Sequence, residues 1–448
     1  MKILTKRKLV KQTTERCSNM NYTQNEKLLQ VGEGNLIVGI DVGSSKHYAR
    51  AFDWRGIEYS KKAFAFSNDA EGFAGFLEWV SLILEKSGNE TVIPGMEPTG
   101  HYWFDFAKFL QDNGIKPVLV NPLHVKRSKE LDDHLPSKND RKDPKTIAKL
   151  VIEGRYAYPY MPDGLYAEIR NASNLRFQVE AELTRYKNRI QRWFAVYFPE
   201  YSEVYGNFDA ISSMMILKQA ALPSDIIQLG AEKINQIWRD AKLRAVGKKR
   251  AQTLVEAAQR SIGYTEGLDT ARIEISLLLE DFERLQKRLE QIIELIEELV
   301  GKVPYAEKLL QIKGIGMKTV SGFIAEVGEI SRFTNAKQLQ KLAGLAIVEN
   351  SSGKYKGKSR ISKRGRKRLR YLLFEAALSL TATNPEFREI HRYYTSRKEN
   401  PLKKIQSLMV LSNKLIRVFY TMLRSGADYD PEKLLSDIRR PEEVPTAA

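Results

Sequence analysis

Leu36-Ile37-Val38-Gly39-Ile40-Asp41 is the stretch whose reading decides the fold. A short apolar run of this length, rich in β-branched residues, is a buried strand. It delivers Asp41 to its C-terminal end, where a sheet opens a side chain to a cleft. Downstream, His47–Asp53 alternates, Trp54-Arg55-Gly56 turns the chain, and Ile57–Phe66 returns as a third strand. Asn68 or Asp69 caps a helix carrying Phe73, Phe76, Leu77 and Val80 on one stripe. Thr91–Gly95 is the next strand, helix Trp103–Asn113 stops at Gly114, and Lys116–Val120 is a strand ending in Asn121-Pro122. Three hairpin-like strands followed by strand–helix alternation predict an α/β domain on a mixed sheet. Upstream, residues 1–34 are basic and polar without sustained periodicity and read as a flexible arm.

After about residue 165 the pattern turns helical. Ala271, Ile275, Leu278, Phe282, Leu285, Leu289, Ile292, Ile296 and Leu299 recur at alternating spacings of four and three, a heptad seam. Such a helix packs within its own domain or pairs as a coiled coil, in a hairpin or between chains. Val303-Pro304 ends it and opens a C-terminal helical domain. The division expected is an arm over 1–34, an α/β domain over 35–205, a helical linker over 206–303 with a coiled coil at 271–299, and an all-α domain over 304–448.

Across 448 residues, 72 Lys and Arg outweigh 55 Asp and Glu, for a net charge of +17. An excess of this size predicts an acidic partner, first nucleic acid and second an anionic membrane. Residues 354–370 supply +10 and residues 1–34 supply +4, so little is left for the rest of the surface. Cys17 is the only cysteine, which excludes a disulfide framework and a thiolate zinc site. His47, His101, His124, His134 and His391 include no pair at metal-ligand spacing. Tyr371–Leu380 is the nearest approach to a membrane span and Glu375 interrupts it. The basic N-terminus lacks an apolar signal core, so a cytoplasmic, nucleoid-associated setting is expected.

Four carboxylates stand where chemistry could use them. Asp41 ends its strand, and Glu97 follows the next one in Met96-Glu97-Pro98-Thr99-Gly100-His101-Tyr102. Asp140 and Asp143 lie three apart in Lys138-Asn139-Asp140-Arg141-Lys142-Asp143-Pro144, one side of a helix start with Pro144 at its first position. Such a group repels itself unless cations sit within it. Two divalent metals, hard ions that prefer oxygen, would relieve the repulsion and clamp an in-line phosphoryl transfer. Singly, each acid has a plainer role: strand end, solvated loop charge, helix cap. Jointly they suit a ribonuclease-H-type nuclease. Gly39–Lys46 also looks like the first phosphate loop of sugar kinases and actin-like ATPases, but those need a Gly-Gly adenosine loop and this chain has no Gly-Gly pair.

The C-terminal half carries a different chemistry. Lys313-Gly314-Ile315-Gly316-Met317-Lys318 resembles the turn of a helix-hairpin-helix DNA-binding element, or is a plain helix–helix turn. Beyond Ser351-Ser352-Gly353, ten cations crowd residues 354–370 without an acid: Lys354, Lys356, Lys358, Arg360, Lys363, Arg364, Arg366, Lys367, Arg368 and Arg370. A stretch this dense repels itself until it meets phosphates. A Ser-Gly pair is ordinarily a turn, but among cations and metals a serine hydroxyl can be a nucleophile.

In this order the pieces resemble the DEDD-type insertion-sequence transposases, the family of the pilin-gene-inverting recombinase and the bridge-RNA-guided recombinases. Gly39-Ile40-Asp41, Glu97-Pro98-Thr99-Gly100-His101-Tyr102 and Lys138–Asp143 match in the first half. Ile312–Gly316, Phe333, Ala343-Gly344-Leu345, Ser352-Gly353 and Gly365 with Leu369-Arg370 follow in the second. The likeness runs from about Leu36 to about Asp428. Pro144 departs from the family's usual Ala, and Ala346-Ile347 from its usual x-Pro. The resemblance implies a RuvC-like domain binding Mg²⁺, two ions per site, through Asp41, Glu97, Asp140 and Asp143. It implies that Ser352, or the adjacent Ser351, attacks a DNA phosphate to form a transient phosphoserine. It further implies a site composed from two protomers of a homodimer or higher oligomer, with the heptad helix dimerising, and a structured guide RNA that pairs with donor and target DNA. Two rivals stay open: a resolvase-like metal nuclease that uses water, and a nucleic-acid-binding protein with a degenerate metal site.

Overall fold

The structure, a computed structural model, describes residues 23–132, 143–348, 351–352, 355–357, 359–436 and 438, with backbone alone at 129–132, 351–352 and 355–356. The chain divides into two compact units after Met161. The first begins with a short helix α1 (Gln24–Leu29), then strands β1 (Asn35–Val42), β2 (Lys46–Phe52) and β3 (Phe64–Ser67). Helix α2 (Ala70–Ser87), β4 (Thr91–Met96), α3 (Trp103–Asp112), β5 (Val118–Val120), α4 (Pro122–Asp132), α5 (Asp143–Ile152) and β6 (Tyr156–Ala157) follow. The six strands form one sheet in the order β3-β2-β1-β4-β5-β6, with β1, β4 and β5 parallel and the other neighbours antiparallel.

Period-two alternation in β1 assigns its two faces. Leu36, Val38, Ile40 and Val42 pack with Phe73, Phe76, Phe106 and Leu110 of α2 and α3. Ile37 faces the opposite layer, with Ile147, Ala148 and Val151 of α5. The stop and start signals act as their chemistry requires. Asp69 caps α2 by accepting from the Gly72 N–H at 2.7 Å, and Gly88 ends it at φ 72°. The third strand is shorter than the expected Ile57–Phe66. Only residues 64–67 pair continuously: Phe52 bridges Glu58 and the Tyr59 N–H donates to the Ala51 carbonyl at 2.9 Å, but Asp53 captures the Arg55 and Ile57 amides and Ser60 takes the Ala51 amide, which interrupts the ladder there.

The second unit is almost wholly helical. It contains α6 (Gly164–Tyr197), α7 (Tyr201–Val204), α8 (Ile211–Leu217), α9 (Pro223–Asp240), α10 (Lys248–Gln259) and α11 (Leu268–Gly301). A 3-10 turn (Ala306–Gln311) leads to α12 (Met317–Val327) and α13 (Ala336–Leu342). Four two-residue strands, β7 (Ile347–Val348), β8 (Ser351–Ser352), β9 (Tyr355–Lys356) and β10 (Arg360–Ile361), precede α14 (Lys367–Thr383), α15 (Pro385–Ser396), α16 (Lys404–Ser425) and α17 (Pro431–Leu435). Helices α6 and α11 run antiparallel: the Trp193 indole donates to the Ala271 carbonyl at 3.0 Å, and the Tyr186 hydroxyl to Asp281 at 2.8 Å. The heptad residues Ala271, Ile275, Leu278, Phe282, Leu285, Ile292 and Ile296 are buried inside this unit, so the seam is spent within the chain. Helix α6 packs lengthwise on α11 within this unit. Among the described residues no helix is long and apolar enough to cross a membrane.

Candidate active site and nucleic-acid surface

The parallel register of β1 and β4 pairs Ile40 with Met96, so Asp41, still on β1 opposite Tyr48, and Glu97, just past the end of β4, follow in register at the C-terminal edge. Helix α5 brings the third acid. It crosses β1 so closely that a Cβ on Gly39 would lie 1.8 Å from the Pro144 carbonyl oxygen and 2.8 Å from the Ala148 nitrogen. A Cβ on Gly95 would likewise meet Val151 at 2.5 Å. Glycine at both positions lets α5 sit on the sheet, and Asp143 is its first residue, with Pro144 second. Asp41 lies two residues beyond Gly39 on the same face of β1, and Asp143 directly precedes the Pro144 that packs over Gly39. All three acids are half-buried. Among the described residues no three metal-binding side chains close into a ligand cluster, and Asp140 lies outside the described residues.

His47 is a functional candidate that spacing rules passed over. It is fully buried on β2, opposite Val42, among Phe66, Phe73 and Phe106. Its Nδ1 accepts from the Gly43 N–H at 3.2 Å, which leaves Nε2–H to donate to Asn68 Oδ1 at 3.0 Å. Asn68 Nδ2 then donates to the Ser44 carbonyl at 3.1 Å. Burial holds this imidazole below its ordinary pKa against the opposing Asn68 hydrogen bond. A neutral His47 thus pins the turn that directly follows Asp41. Its signal was a lone histidine at an inward position of an alternating strand, which hunting for histidine pairs ignores.

In the second unit, Lys313 is exposed and Gly314 and Gly316 form the turn into α12. Lys318, also exposed, pairs with Glu180 of α6 at 3.5 Å. Ser351 and Ser352 form β8, paired with Lys356 and Tyr355 of β9. Lys354 and Lys358 lie outside the described residues, as do the side chains of Ser352 and Lys356. The remaining cations divide by job. Arg360, Lys363, Arg364 and Lys367 are exposed. Arg366 donates to the Glu326 carbonyl at 2.6 Å and Arg370 to the Ala343 carbonyl at 2.9 Å, ties that hold the loop to the helices. Arg368, though exposed, donates to Asn174 at 2.7 Å and lies over the Phe177 ring.

Two family models match the chain: the DEDD-type IS110 model, described as transposase, over residues 38–199, and a model described as transposase IS116/IS110/IS902 family over residues 306–392. The chain is similar to the uncharacterized 43.6 kDa protein of insertion element IS110 from Streptomyces coelicolor, 21% identical over 88% of this chain and 95% of the relative. It is similar to the 44.8 kDa protein of insertion element IS116 from Streptomyces clavuligerus, 24% identical over 88% and 96%. The 42 kDa protein of IS900 from Mycobacterium paratuberculosis is 24% identical over 64% and 73%. Matches in both units, with relatives from insertion elements, define the class as DNA transposase, an enzyme acting on DNA. Within that class the chain belongs to the DEDD-type transposases of the IS110 family, whose type implies use of a divalent metal.

Proposed function

We propose that this transposase cuts and rejoins DNA at specific sites through a serine nucleophile assisted by Mg²⁺. What supports the metal half is that Asp41 and Glu97 stand in register on neighbouring strands and that Asp143 opens the helix pressed onto β1 at Gly39. The donors are all carboxylate oxygens, the chemistry that suits a hard divalent cation. Asp140, three residues before Asp143, completes the proposed set in a RuvC-like domain. When bound, a pair of such ions neutralises charge developing on the attacking and leaving oxygens. Ser352 supplies the nucleophile: its Oγ loses a proton and bonds to a DNA phosphorus, while the departing sugar oxygen takes a proton. Reversal with a second DNA end restores the serine and completes exchange.

The further parts of the proposal follow from family membership. A structured guide RNA pairs with donor and target DNA while the protein holds backbone and shape. Two or more copies compose each site, and the domains run 35–205, 206–303 and 304–448. We read the antiparallel α6–α11 pair as a coiled coil of the intrachain kind, a reading that leaves another surface for the contact between copies. Incubating the protein with element-end DNA and Mg²⁺, then denaturing it, tests the serine. The parent and Ser351→Ala should trap a covalent protein–DNA adduct, and Ser352→Ala should trap none. Cleavage that survives in Ser352→Ala without exchange points instead to the water-using nuclease. Cleavage that survives Asp41→Ala or EDTA refutes the metal half.

A further inference from the structure

The segment Lys242-Leu243-Arg244-Ala245-Val246-Gly247-Lys248-Lys249-Arg250 joins α9 to α10 with five cations and no acid. All five are exposed. Arg239 braces the segment by donating to the Val246 carbonyl at 2.8 Å, and Arg250 lies over the Tyr205 ring at 5.1 Å. No carboxylate pairs with Lys242, Arg244, Lys248 or Lys249 among the described residues. Beside them is an open depression of about 500 Å³, lined by Val246, Lys248, Lys249, Arg250, Thr253 and Glu203. Glu203, its one acid, is paired with Arg260.

The same segment repeats, position for position, the turn that opens α12. Counting from the N-cap glycines, Gly247 and Gly316, an exposed cation stands three residues earlier, Arg244 and Lys313. A residue of positive φ stands two earlier, Ala245 at 62° and Gly314 at 98°. An apolar residue packed on the core stands one earlier, Val246 and Ile315. An exposed lysine stands two later, Lys249 and Lys318. Buried residues follow at the same steps: Ala251 and Val320, Leu254 and Phe323, Ala258 and Val327. Alanine rarely adopts a left-handed conformation, so its presence at Ala245 marks a turn whose shape the surrounding structure enforces.

We propose that residues 242–250 form a second clamp on the nucleic-acid backbone, in which Lys242, Arg244, Lys248 and Lys249 hold phosphates of a duplex independently of the Lys313–Lys318 turn. Unneutralised cations concentrated on one ledge fit a phosphate ridge. Among the described residues the aromatic ring in contact with this segment, Tyr205 under Arg250, is buried and so offers no open face on which an unpaired base could stack. This inference rests on the reading of the chain as a nucleic-acid enzyme, and the test separates the two.

The full chain carrying Lys242→Gln, Arg244→Gln, Lys248→Gln and Lys249→Gln together is titrated with labelled duplex DNA, duplex RNA and single-stranded DNA across a range of salt. The slope of log affinity against log salt should flatten by about 0.9 for each phosphate no longer held, and affinity for a duplex should fall by at least ~10-fold near 0.1 M salt. Arginine at the same four positions should restore binding, and the thermal melt should be unchanged because the side chains are exposed. A loss on DNA duplex alone or on RNA duplex alone supports the clamp and names the backbone it holds. Duplex binding and salt slope equal to the parent's refute it while leaving the nucleic-acid reading intact, as does a loss confined to single strands. A parent protein that binds none of the three probes refutes both.

Discussion

Gly39 sets how closely α5 approaches β1, and replacing it tests the proposed acid site directly. In Gly39→Ala the new Cβ would meet the Pro144 carbonyl oxygen at 1.8 Å, with the Pro144 carbonyl carbon at 2.9 Å and the Ala148 nitrogen at 2.8 Å. All three are backbone atoms, so no rotamer change can relieve the clash. An ordinary carbon–oxygen contact needs about 3.3 Å, so α5 must retreat by roughly 1.5 Å. Overpacking of this kind costs about 1–3 kcal/mol. For a unit of this size that corresponds to a melting temperature lower by ~2–12 °C. The retreat carries Asp143 away from Asp41, and a misplacement of about 1 Å in a reacting geometry costs on the order of 100-fold in rate. Thermal melts and Mg²⁺-dependent cleavage are measured on the same preparation. The control is Gly75→Ala in α2, where an added Cβ meets nothing within 4 Å, and a gain of about 0.5–1 kcal/mol is expected. A Gly39→Ala protein that melts and cleaves like the parent would refute the claim that α5 is pressed onto β1 to place Asp143.

Two further outcomes are expected. Because burial lowers the His47 pKa, the unfolded chain binds a proton below about pH 6.5 that the folded protein resists. That contribution is whole above about pH 6.5 and is lost as the pH falls. His391, lowered by burial and by Lys404, acts with the same sign, so the readout is the difference between His47→Gln and the parent in chemical denaturation. The variant should be less stable at neutral pH and flatter with pH, whereas parallel curves would show that His47 is not held neutral. In Arg176→Met, a guanidinium only 2% exposed, with Nε and Nη2 lacking hydrogen-bond partners, gives way to an apolar chain. Its remaining ties are a 3.4 Å bond to Ser321, the face of the Phe177 ring and a 3.8 Å ion pair with Glu180, which is partly exposed and keeps Lys318 as a partner, so the change should be neutral or stabilising by about 1–4 kcal/mol. A fall in melting temperature would show that those ties outweigh the burial of the charge.

Much of the first unit was legible because its signals are local. The apolar run at Leu36–Ile40, the Asp69 cap and the Gly114 stop each act through their own neighbours, and β1, α2 and α3 formed where those signals lay. What was hidden depends on partners distant in sequence. Gly39 and Gly95 are unremarkable in the chain and become necessary only once α5 crosses them. Helix α6 carries its own heptad, Ile169, Ala172, Arg176, Val179, Leu183, Tyr186, Ile190 and Trp193, as regular as the seam of α11. Arg176 stands at a core position and breaks the apolar pattern, so one helix of the pair announced itself and the other did not. The family match over residues 38–199 crosses the division after Met161, so α6 belongs in sequence with the acid-bearing half and in packing with the helical one.

Net charge hides more than it reveals for a related reason. The +17 concentrates in residues 354–370 and the arm only when everything else is summed together. Within that remainder, residues 242–250 carry +5, while α11 carries nine acids against four bases, or −5, and the two cancel. The fold separates what the sum merges: the α9–α10 turn gathers its cations on one ledge, while the acids of α11 lie along a long solvated helix. Within the basic stretch the opposite holds, because Arg366 and Arg370 are committed to the Glu326 and Ala343 carbonyls. A phosphate therefore meets fewer cations at residues 354–370 than the sequence counts, whereas at residues 242–250 all five counted cations stand exposed. The count that matters for binding is of exposed cations without a carboxylate partner, which only the folded chain defines.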